Sequence, residues 1–386
     1  MSVMNANVCN LAAFENMHGP RFEDVLNARN GNGVALQRIS PASRHLVSYN
    51  DAASWASRWD NFSPFEGGLS GVGIAGDGSS PGKFVMAWRR FDGNDRLQSV
   101  SGWSNGWDFS TQTTHAGASG NRGSLGQPSV ATDTVGNYLT VIAATVDGSL
   151  ASNDRQIFQV IRNATTSSQL TAVTPYASTA DVPVVAFVGR NYDLASSFWV
   201  IAYHDRNSPL VRIATAPRTV APNLPVWSNT TSVVVGGQNI SSVGGLSLAC
   251  NASAATESDP GRCLLGYASS AARSDESAQQ PGFLRTVSFA VSDAGLPNGF
   301  VSLSFASGNR TFGGTTMGHN RWDNTWHMGW VHNDSFCLFR NKMNAGVFGW
   351  PSSSCFTSDG SRQKVNPTWA RSEAWGAHLF YYHLDP

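Results

Sequence analysis

The sequence predicts an all-β fold, most simply a β-propeller of seven four-stranded blades, and three observations predict it. A short strand that ends in an aromatic residue recurs along the chain. Gly, Ser, Asn and Thr are abundant, whereas Lys is limited to Lys83, Lys342 and Lys364, as expected for strands joined by turns. The 13 Trp residues supply a core. Closed β-architectures often reach this length as one domain, so we expect residues 1–386 to form a single domain.

The recurring strand occurs in seven copies, each β-prone and bounded by turn-forming residues. They read HLVSYND (45–51), FVMAWRR (84–90), YLTVIAAT (138–145), WVIAYHD (199–205), CLLGYAS (263–269), HMGWVHN (327–333) and HLFYYHLD (378–385). A second strand precedes most copies, as VGIA (72–75), PSVA (128–131), PVVA (183–186), LSLA (246–249) and PTWA (367–370). A hairpin followed by a stretch that supplies two outer strands is the pattern of a propeller blade.

The two chain ends are expected to share one blade. The last copy reaches residue 385 and leaves no room for outer strands. We therefore expect residues 1–30, including 8–14, to complete the last blade with residues 365–386, so that the ring closes without an exposed sheet edge. The weak copy at 138–145 and the insertion at 270–282 leave six blades as the alternative.

Charge and cysteine content narrow the partners and the compartment. Lys and Arg (26) balance Asp and Glu (26), which gives no reason to expect nucleic acid or anionic lipid as a partner. No apolar run is long enough to insert into a membrane. Two local Cys pairs, Cys250 with Cys263 and Cys337 with Cys355, predict disulfides and a secreted, periplasmic or otherwise extracellular location. Buried free thiols are the alternative, and the sequence does not indicate the oligomeric state.

The PxVA strand, its Gly/Asn turn and the next strand ending in Tyr or Trp resemble the sialidase-like (BNR-type) β-propeller superfamily, especially its secreted bacterial members. The likeness covers essentially the whole chain. The Asp-box SxDxGxTW is absent, and Ser40 follows Arg38 and Ile39 where the family has Arg-Ile-Pro. The resemblance therefore implies the architecture, and the function has to be argued from the site.

By this resemblance, the functional face carries the start of each first strand and the exit of each second strand. Three histidines, His204, His332 and His383, fall at this exit in different copies, where Asn50 and Arg89 occupy the same place. With Asp205, they predict either an acid–base site or a site for a divalent metal such as Ca²⁺ or Zn²⁺. The alternative is that these histidines cap strand ends. The aromatic residues one position earlier, Trp88, Tyr203, Tyr267 and Tyr382, are expected to pack between blades.

Other side chains on this face extend the prediction. Glycoside hydrolysis needs two carboxyl groups, and Glu66 with Asp181 or Asp205 is the pairing the sequence offers. Arg89, Arg90, Arg122 and Arg206 are candidates for gripping a substrate oxyanion. Sugar-stacking candidates are Trp103, Trp107, Trp322 and Trp326, and a second metal hypothesis groups His45, His327 and His378.

These observations favour an extracellular carbohydrate-active propeller, a hydrolase or lyase that acts on a polysaccharide at the mouth of the central channel. Two other function classes stay open. One is a glycan-binding lectin with sites between blades, and the other is a propeller that serves protein interaction or structure.

Overall fold

The computed structural model describes 23 segments of the chain. They are residues 4–5, 23–28, 32–40, 43–49, 72–76, 83–89, 97–103, 106–115, 128–145, 155–173, 183–190, 193–205, 210–242, 246–251, 261–269, 282–303, 310–311, 315–320, 325–332, 335–342, 354–357, 364–371 and 378–384. Nearly all regular structure within them is β-strand, apart from a short 3-10 helix at Leu194–Ser196. Among these residues no helix has the length and apolar character needed to cross a membrane.

The described strands are numbered in chain order. The first half contains β1 (Met4–Asn5), β2 (Glu23–Ala28), β3 (Asn32–Ser40), β4 (Ser43–Tyr49), β5 (Val72–Gly76), β6 (Lys83–Arg89), β7 (Leu97–Trp103), β8 (Gly106–His115), β9 (Ser129–Thr132), β10 (Tyr138–Thr145), β11 (Arg155–Arg162), β12 (Thr171–Ala172), β13 (Val184–Val188) and β14 (Phe198–His204). The second half contains β15 (Val211–Pro217), β16 (Ser228–Ser232), β17 (Val234–Val235), β18 (Gln238–Asn239), β19 (Ser247–Cys250), β20 (Gly261–Ser269), β21 (Gly282–Val291), β22 (Pro297–Leu303), β23 (Arg310–Thr311), β24 (Thr315–Asn320), β25 (Thr325–His332), β26 (Ser335–Lys342), β27 (Ser354–Thr357), β28 (Lys364–Arg371) and β29 (His378–Leu384).

The described strands form six sheets of four or more strands. Sheet 1 is β5–β8, sheet 2 is β9–β12, sheet 3 is β13–β16, sheet 4 is β19–β22 with β23 paired to β21, and sheet 5 is β24–β27. Sheet 6 has the order β1-β2-β3-β4-β29-β28. Sheets 1 to 5 are antiparallel meanders, which is the strand order of propeller blades.

The first strands of the six sheets contact one another in cyclic order. β5 contacts β9, β9 contacts β13, β13 contacts β19 and β19 contacts β24. β28 in turn contacts both β24 and β5. In five of these six sheets the first strand is one that the sequence marks as the first strand of its repeat, and the exception is β24 in sheet 5.

The predicted hairpins are confirmed, but the count of seven repeats does not hold for the described strands. YLTVIAAT coincides with β10, and PVVA falls in β13. The copy HLVSYND, by contrast, lies in β4, which is the third strand of sheet 6 and not the second strand of a sheet of its own. The sequence could not show this, because β4 pairs with β29 from the other end of the chain, with His45 opposite His383.

Both ends of the chain contribute to sheet 6. β28 and β29 form a hairpin at its inner side, and β4, β3, β2 and β1 follow outward. Residues 8–14, which we expected in this sheet, lie outside the described residues.

Successive residues of a strand point to opposite faces of the sheet, and sheets 2, 3 and 4 contribute to a described core on both faces. In β14, Val200 and Ala202 pack with residues of sheet 4, whereas Ile201 and Tyr203 pack with residues of sheet 2. Similar cores lie between sheets 1 and 2 and between sheets 4 and 5. The described cores therefore lie between neighbouring sheets, as in stacked propeller blades.

One of the two predicted disulfides is present. Cys250 in β19 and Cys263 in β20 are directly paired across the strands, with their Cα atoms 4.0 Å apart, and their sulfur atoms are bonded. Cys337 and Cys355 also occupy opposite positions, in β26 and β27. Their disulfide remains a prediction.

Candidate functional site

A charged cluster lies at the exit of β14, where the sequence placed Asp205. Asp205 directly follows the strand, and its backbone N–H donates to the Leu210 carbonyl at 2.9 Å. The guanidinium of Arg212, in β15, contacts Asp205 Oδ2 through Nε and Nη2, both at 3.1 Å. Arg212 Nη1 donates to Ser232 Oγ in β16 at 2.8 Å. The Arg212 and Asp205 side chains are 33% and 27% exposed, so the pair is fixed in place but accessible to a ligand.

The cluster belongs to a row of side chains that crosses sheet 3 on one face. Tyr203 lies opposite Arg212, and Arg212 lies opposite Ser232. Tyr203 is buried against sheet 2, and this burial raises the pKa of its phenol, an effect that Arg212 opposes and Asp205 reinforces. The row therefore presents a buried aromatic ring, a half-buried guanidinium and a hydroxyl in sequence.

A buried aromatic residue also lies opposite a polar residue at the corresponding position of two other sheets. In sheet 4, Tyr267 lies opposite Arg285, and burial raises the pKa of Tyr267 while Arg285 lowers it. In sheet 1, Trp88 lies opposite Gln98, whose Nε2 donates to Thr114 Oγ1 at 3.1 Å. Gln98 is buried, whereas Arg212 and Arg285 are half-buried. Of these three described rows, those of sheets 3 and 4 reach solvent through an arginine, and that of sheet 1 does not.

The structure places the three predicted histidines in three different sheets. His204 is the last residue of β14 and is only 4% exposed, and the alternation of the strand turns it toward sheet 4, away from Asp205. His332 ends β25 opposite Ser335, and His383 lies in β29 between Val365 and His45. Arg89 ends β6 opposite Leu97. Each residue is thus at or near a strand end in a different sheet.

Several predicted site residues lie outside the described residues, namely Asn50, Glu66, Arg90, Arg122, Asp181 and Arg206. Their roles remain predictions. Among the side chains that the structure describes, no group of three His, Cys, Asp or Glu residues could hold a metal ion.

Two secondary hypotheses need correction. Trp326, a candidate for stacking on sugar, is 1% exposed and packs in the core between sheets 4 and 5. The proposed column of His45, His327 and His378 does not exist as such, because His45 lies in a third strand while the other two lie in second strands. The packing predicted for Trp88, Tyr203 and Tyr267 is confirmed, since all three are buried.

Sequence reasoning missed Arg212, Ser232 and Arg285. All three lie in third or fourth strands, which the repeat pattern did not resolve. A usable signal was the short distance along the chain from WVIAYHD to Leu210–Val211, since a tight hairpin there places Arg212 opposite Tyr203.

No family model matches the chain, and no curated protein matches it. Among solved structures, the chain is similar to a six-bladed β-propeller lectin of the fungus Aleuria aurantia, with 11% identity over 88% of this chain and 96% of the lectin and a TM-score of 0.47. It is also similar to the α-L-arabinanase of Penicillium chrysogenum (10% identity, 94% and 93% covered, TM-score 0.44). A third similar structure is the α-L-arabinofuranosidase of Fusarium graminearum (8%, 93% and 91%, TM-score 0.47). Likenesses this distant do not establish a function.

Proposed function

We propose that the chain is an extracellular six-bladed β-propeller, closed by sheet 6, that binds carbohydrate between neighbouring sheets. The recurring row of buried tyrosine and half-buried arginine in sheets 3 and 4 carries this proposal. Two neighbouring sheets present the same residue types at the same register position, as expected for repeated sites on a repeated scaffold.

The chemistry of the row suits a sugar. Arg212 is held by two partners, so its guanidinium is oriented before a ligand arrives and little side-chain entropy is lost on binding. A fixed guanidinium beside a carboxylate offers donors and an acceptor to neighbouring hydroxyl groups, and charge-assisted hydrogen bonds of this kind are the strong ones. The buried tyrosine forms the floor of the site.

The number of carboxyl groups in this cluster favours sugar binding over sugar cleavage as its function. Cleavage of a glycoside uses a pair of them. The described part of the sheet 3 cluster holds one, Asp205, which is engaged with Arg212. His204 faces the opposite side of β14 and plays no part in the proposed contact.

The proposal is tested by screening the purified protein on a glycan array and titrating the best ligand by calorimetry. We expect binding at two sites per chain. Arg212→Met and Arg285→Met should each remove one site, because each substitution removes the exposed donor and keeps a side chain of similar length. Arg262→Met is the matched control, since Arg262 is also half-buried but lies at the opposite end of β20 from Tyr267.

Absence of glycan binding, or binding unchanged in both test variants, would refute the proposed sites. Release of shorter sugars in the same samples would instead assign hydrolase or lyase activity.

A further inference from the structure

Four polar side chains connect sheet 1 with sheet 2 through a chain of hydrogen bonds. Ser99 Oγ in β7 lies 2.8 Å from His115 Nε2 in β8. Arg162, in β11 of sheet 2, reaches across and donates from Nη1 to Ser99 Oγ at 2.9 Å and from Nη2 to the Thr111 carbonyl at 3.1 Å. Ser167 Oγ, in the turn after β11, lies 3.3 Å from His115 Nδ1. We call these residues, Ser99, His115, Arg162 and Ser167, the His115 relay.

The donors of the relay determine where its protons lie. The guanidinium has only donors, so Ser99 Oγ accepts from Arg162. Ser167 donates its own proton to the Ser168 carbonyl at 3.0 Å, so its Oγ accepts from His115 Nδ1, which therefore carries a proton. In the neutral ring Nε2 keeps a lone pair and accepts from the Ser99 hydroxyl, and this bond exists only while His115 is neutral.

Protonation of His115 would oppose this arrangement twice. It would place a second proton between Nε2 and the Ser99 hydroxyl, and it would bring a second cation next to Arg162 in a buried site. Among the described side chains, the ionisable groups interacting here are Arg162 and, beyond it, Tyr138, and neither offers the imidazolium a negative charge at neutral or acid pH. Burial, with a smaller contribution from Arg162, lowers the pKa of His115 from 6.5 to about 3.

We propose that the His115 relay is an acid-sensitive joint that holds sheets 1 and 2 together while His115 is neutral and releases them when it is protonated. The unfolded chain binds this proton near pH 6.5, and the folded chain binds it only near pH 3. Stabilisation by the neutral histidine is therefore complete above pH 6.5 and is lost as the pH falls from 6.5 toward 3. The joint does not depend on glycan binding.

The test compares urea unfolding of the wild type and His115→Gln at pH 7.5 and pH 4.5. Glutamine keeps an amide that can accept from Ser99 and donate to Ser167, but it takes up no proton. Acidification should raise the unfolding constant of the wild type by up to about 100-fold more than that of the variant. Carboxylates elsewhere weaken equally in both proteins, so the difference isolates His115. Equal changes in the two proteins would overturn the proposal.

A second measurement does not depend on the folding of that variant. In protein labelled at histidine Cε1, NMR should show one of the nine histidine resonances staying in its neutral position down to pH 4.5. Ser167→Ala, a change at an exposed residue, should shift that resonance and thereby assign it. A resonance that responds to Ser167→Ala and titrates near pH 6.5 would refute the joint.

Discussion

Two joints between sheets occupy the same place in the fold, but the positions of their acidic and basic residues are exchanged. Each connects the turn between the first and second strands of one sheet to the segment between the third and fourth strands of the next. In the joint between sheets 2 and 3, Asp133 on the turn pairs with Arg218 at 2.9 Å. In the joint between sheets 3 and 4, Arg190 on the turn pairs with Asp293. The acid is thus on the turn in one joint and on the connecting segment in the other.

The comparison shows that the ion on the turn is the buried one whichever sign it has. Asp133 is 0% exposed and accepts from the backbone N–H groups of Val135 and Asn137 and from the Asn137 side chain, at 2.7 to 2.9 Å. Arg190 is 2% exposed and donates to the Val291 carbonyl at 2.8 Å. In both joints backbone groups, and not only the opposite charge, compensate for lost hydration. Exchanging one connecting segment for the other would set like charges against each other, so the two joints also favour the correct order of sheets.

The largest effect is expected from Asp133→Ala. The substitution leaves three donors of the turn, two of them on the buried Asn137, and Arg218 without their acceptor. We expect a loss of about 3–5 kcal/mol in the free energy of unfolding. Urea denaturation measures it. Arg218→Met is the control and should cost less than half as much, because the turn keeps its internal hydrogen bonds. A loss below about 1 kcal/mol for Asp133→Ala would contradict the assigned role of the buried ion.

Gly295→Ala tests how the second joint is positioned. Gly295 has φ +75°, and an added Cβ would lie 2.5 Å from the Phe198 ring of sheet 3. The strain and the clash together should cost about 2–4 kcal/mol. Gly237→Ala separates the two causes, since Gly237 has φ +81° with nothing within 4 Å of the new Cβ, and it should cost only about 1 kcal/mol. Equal losses in thermal denaturation would show that the contact with Phe198 is unimportant.

Much of the inner half of each sheet could be predicted from the sequence, because short apolar strands bounded by turn residues leave a local signal. Tyr138–Thr145 was predicted to the residue. The membership of β4 in sheet 6 was not, since it depends on pairing between opposite ends of the chain. At the candidate site, the sequence pointed to Asp205 because it ends the copy WVIAYHD (199–205). Arg212 was missed because its position depends on the register of β15 against β14. The local sequence pattern predicts where strands lie and where they end. Which residues face each other across two strands can be predicted only when the register of strand pairing is known.

Gln159→Leu removes an uncharged anchor of the joint between sheets 2 and 3. In the joint between sheets 3 and 4, Thr215 Oγ1 donates to the Gly295 carbonyl at the corresponding place. Gln159 accepts from Trp227 Nε1 at 2.8 Å and donates to the Pro225 carbonyl at 3.0 Å, which ties the connecting segment of sheet 3 to β11. Both partners would be left buried without a hydrogen bond, at a cost of about 2 kcal/mol. Gln159→Glu is the comparison variant. It keeps the acceptor for Trp227, but it loses the donor to Pro225 and places a carboxyl group at a position that is 1% exposed. Urea denaturation should rank the wild type above both variants. A neutral Gln159→Leu would mean that the charge pair and the bond from the Ala221 N–H to Asn137 Oδ1 suffice to hold the segment.

Asp293→Ala should have the smallest effect on the free energy of unfolding. It tests whether the stability of these joints depends on the burial of the ion or on the charge pair itself. The Asp293 side chain is 78% exposed, so water can take its place beside Arg190, and exposed ion pairs contribute less than about 1 kcal/mol. Arg190→Met, in contrast, removes the buried cation and leaves the Val291 carbonyl without this donor, so it should be the more damaging change in the same joint. The contrary result would be that Asp293→Ala destabilises the protein as much as Asp133→Ala. The two carboxylates would then contribute equally despite their different burial. The stabilisation would have to be assigned to the charge pairs, because the backbone groups around the buried ion could not explain it.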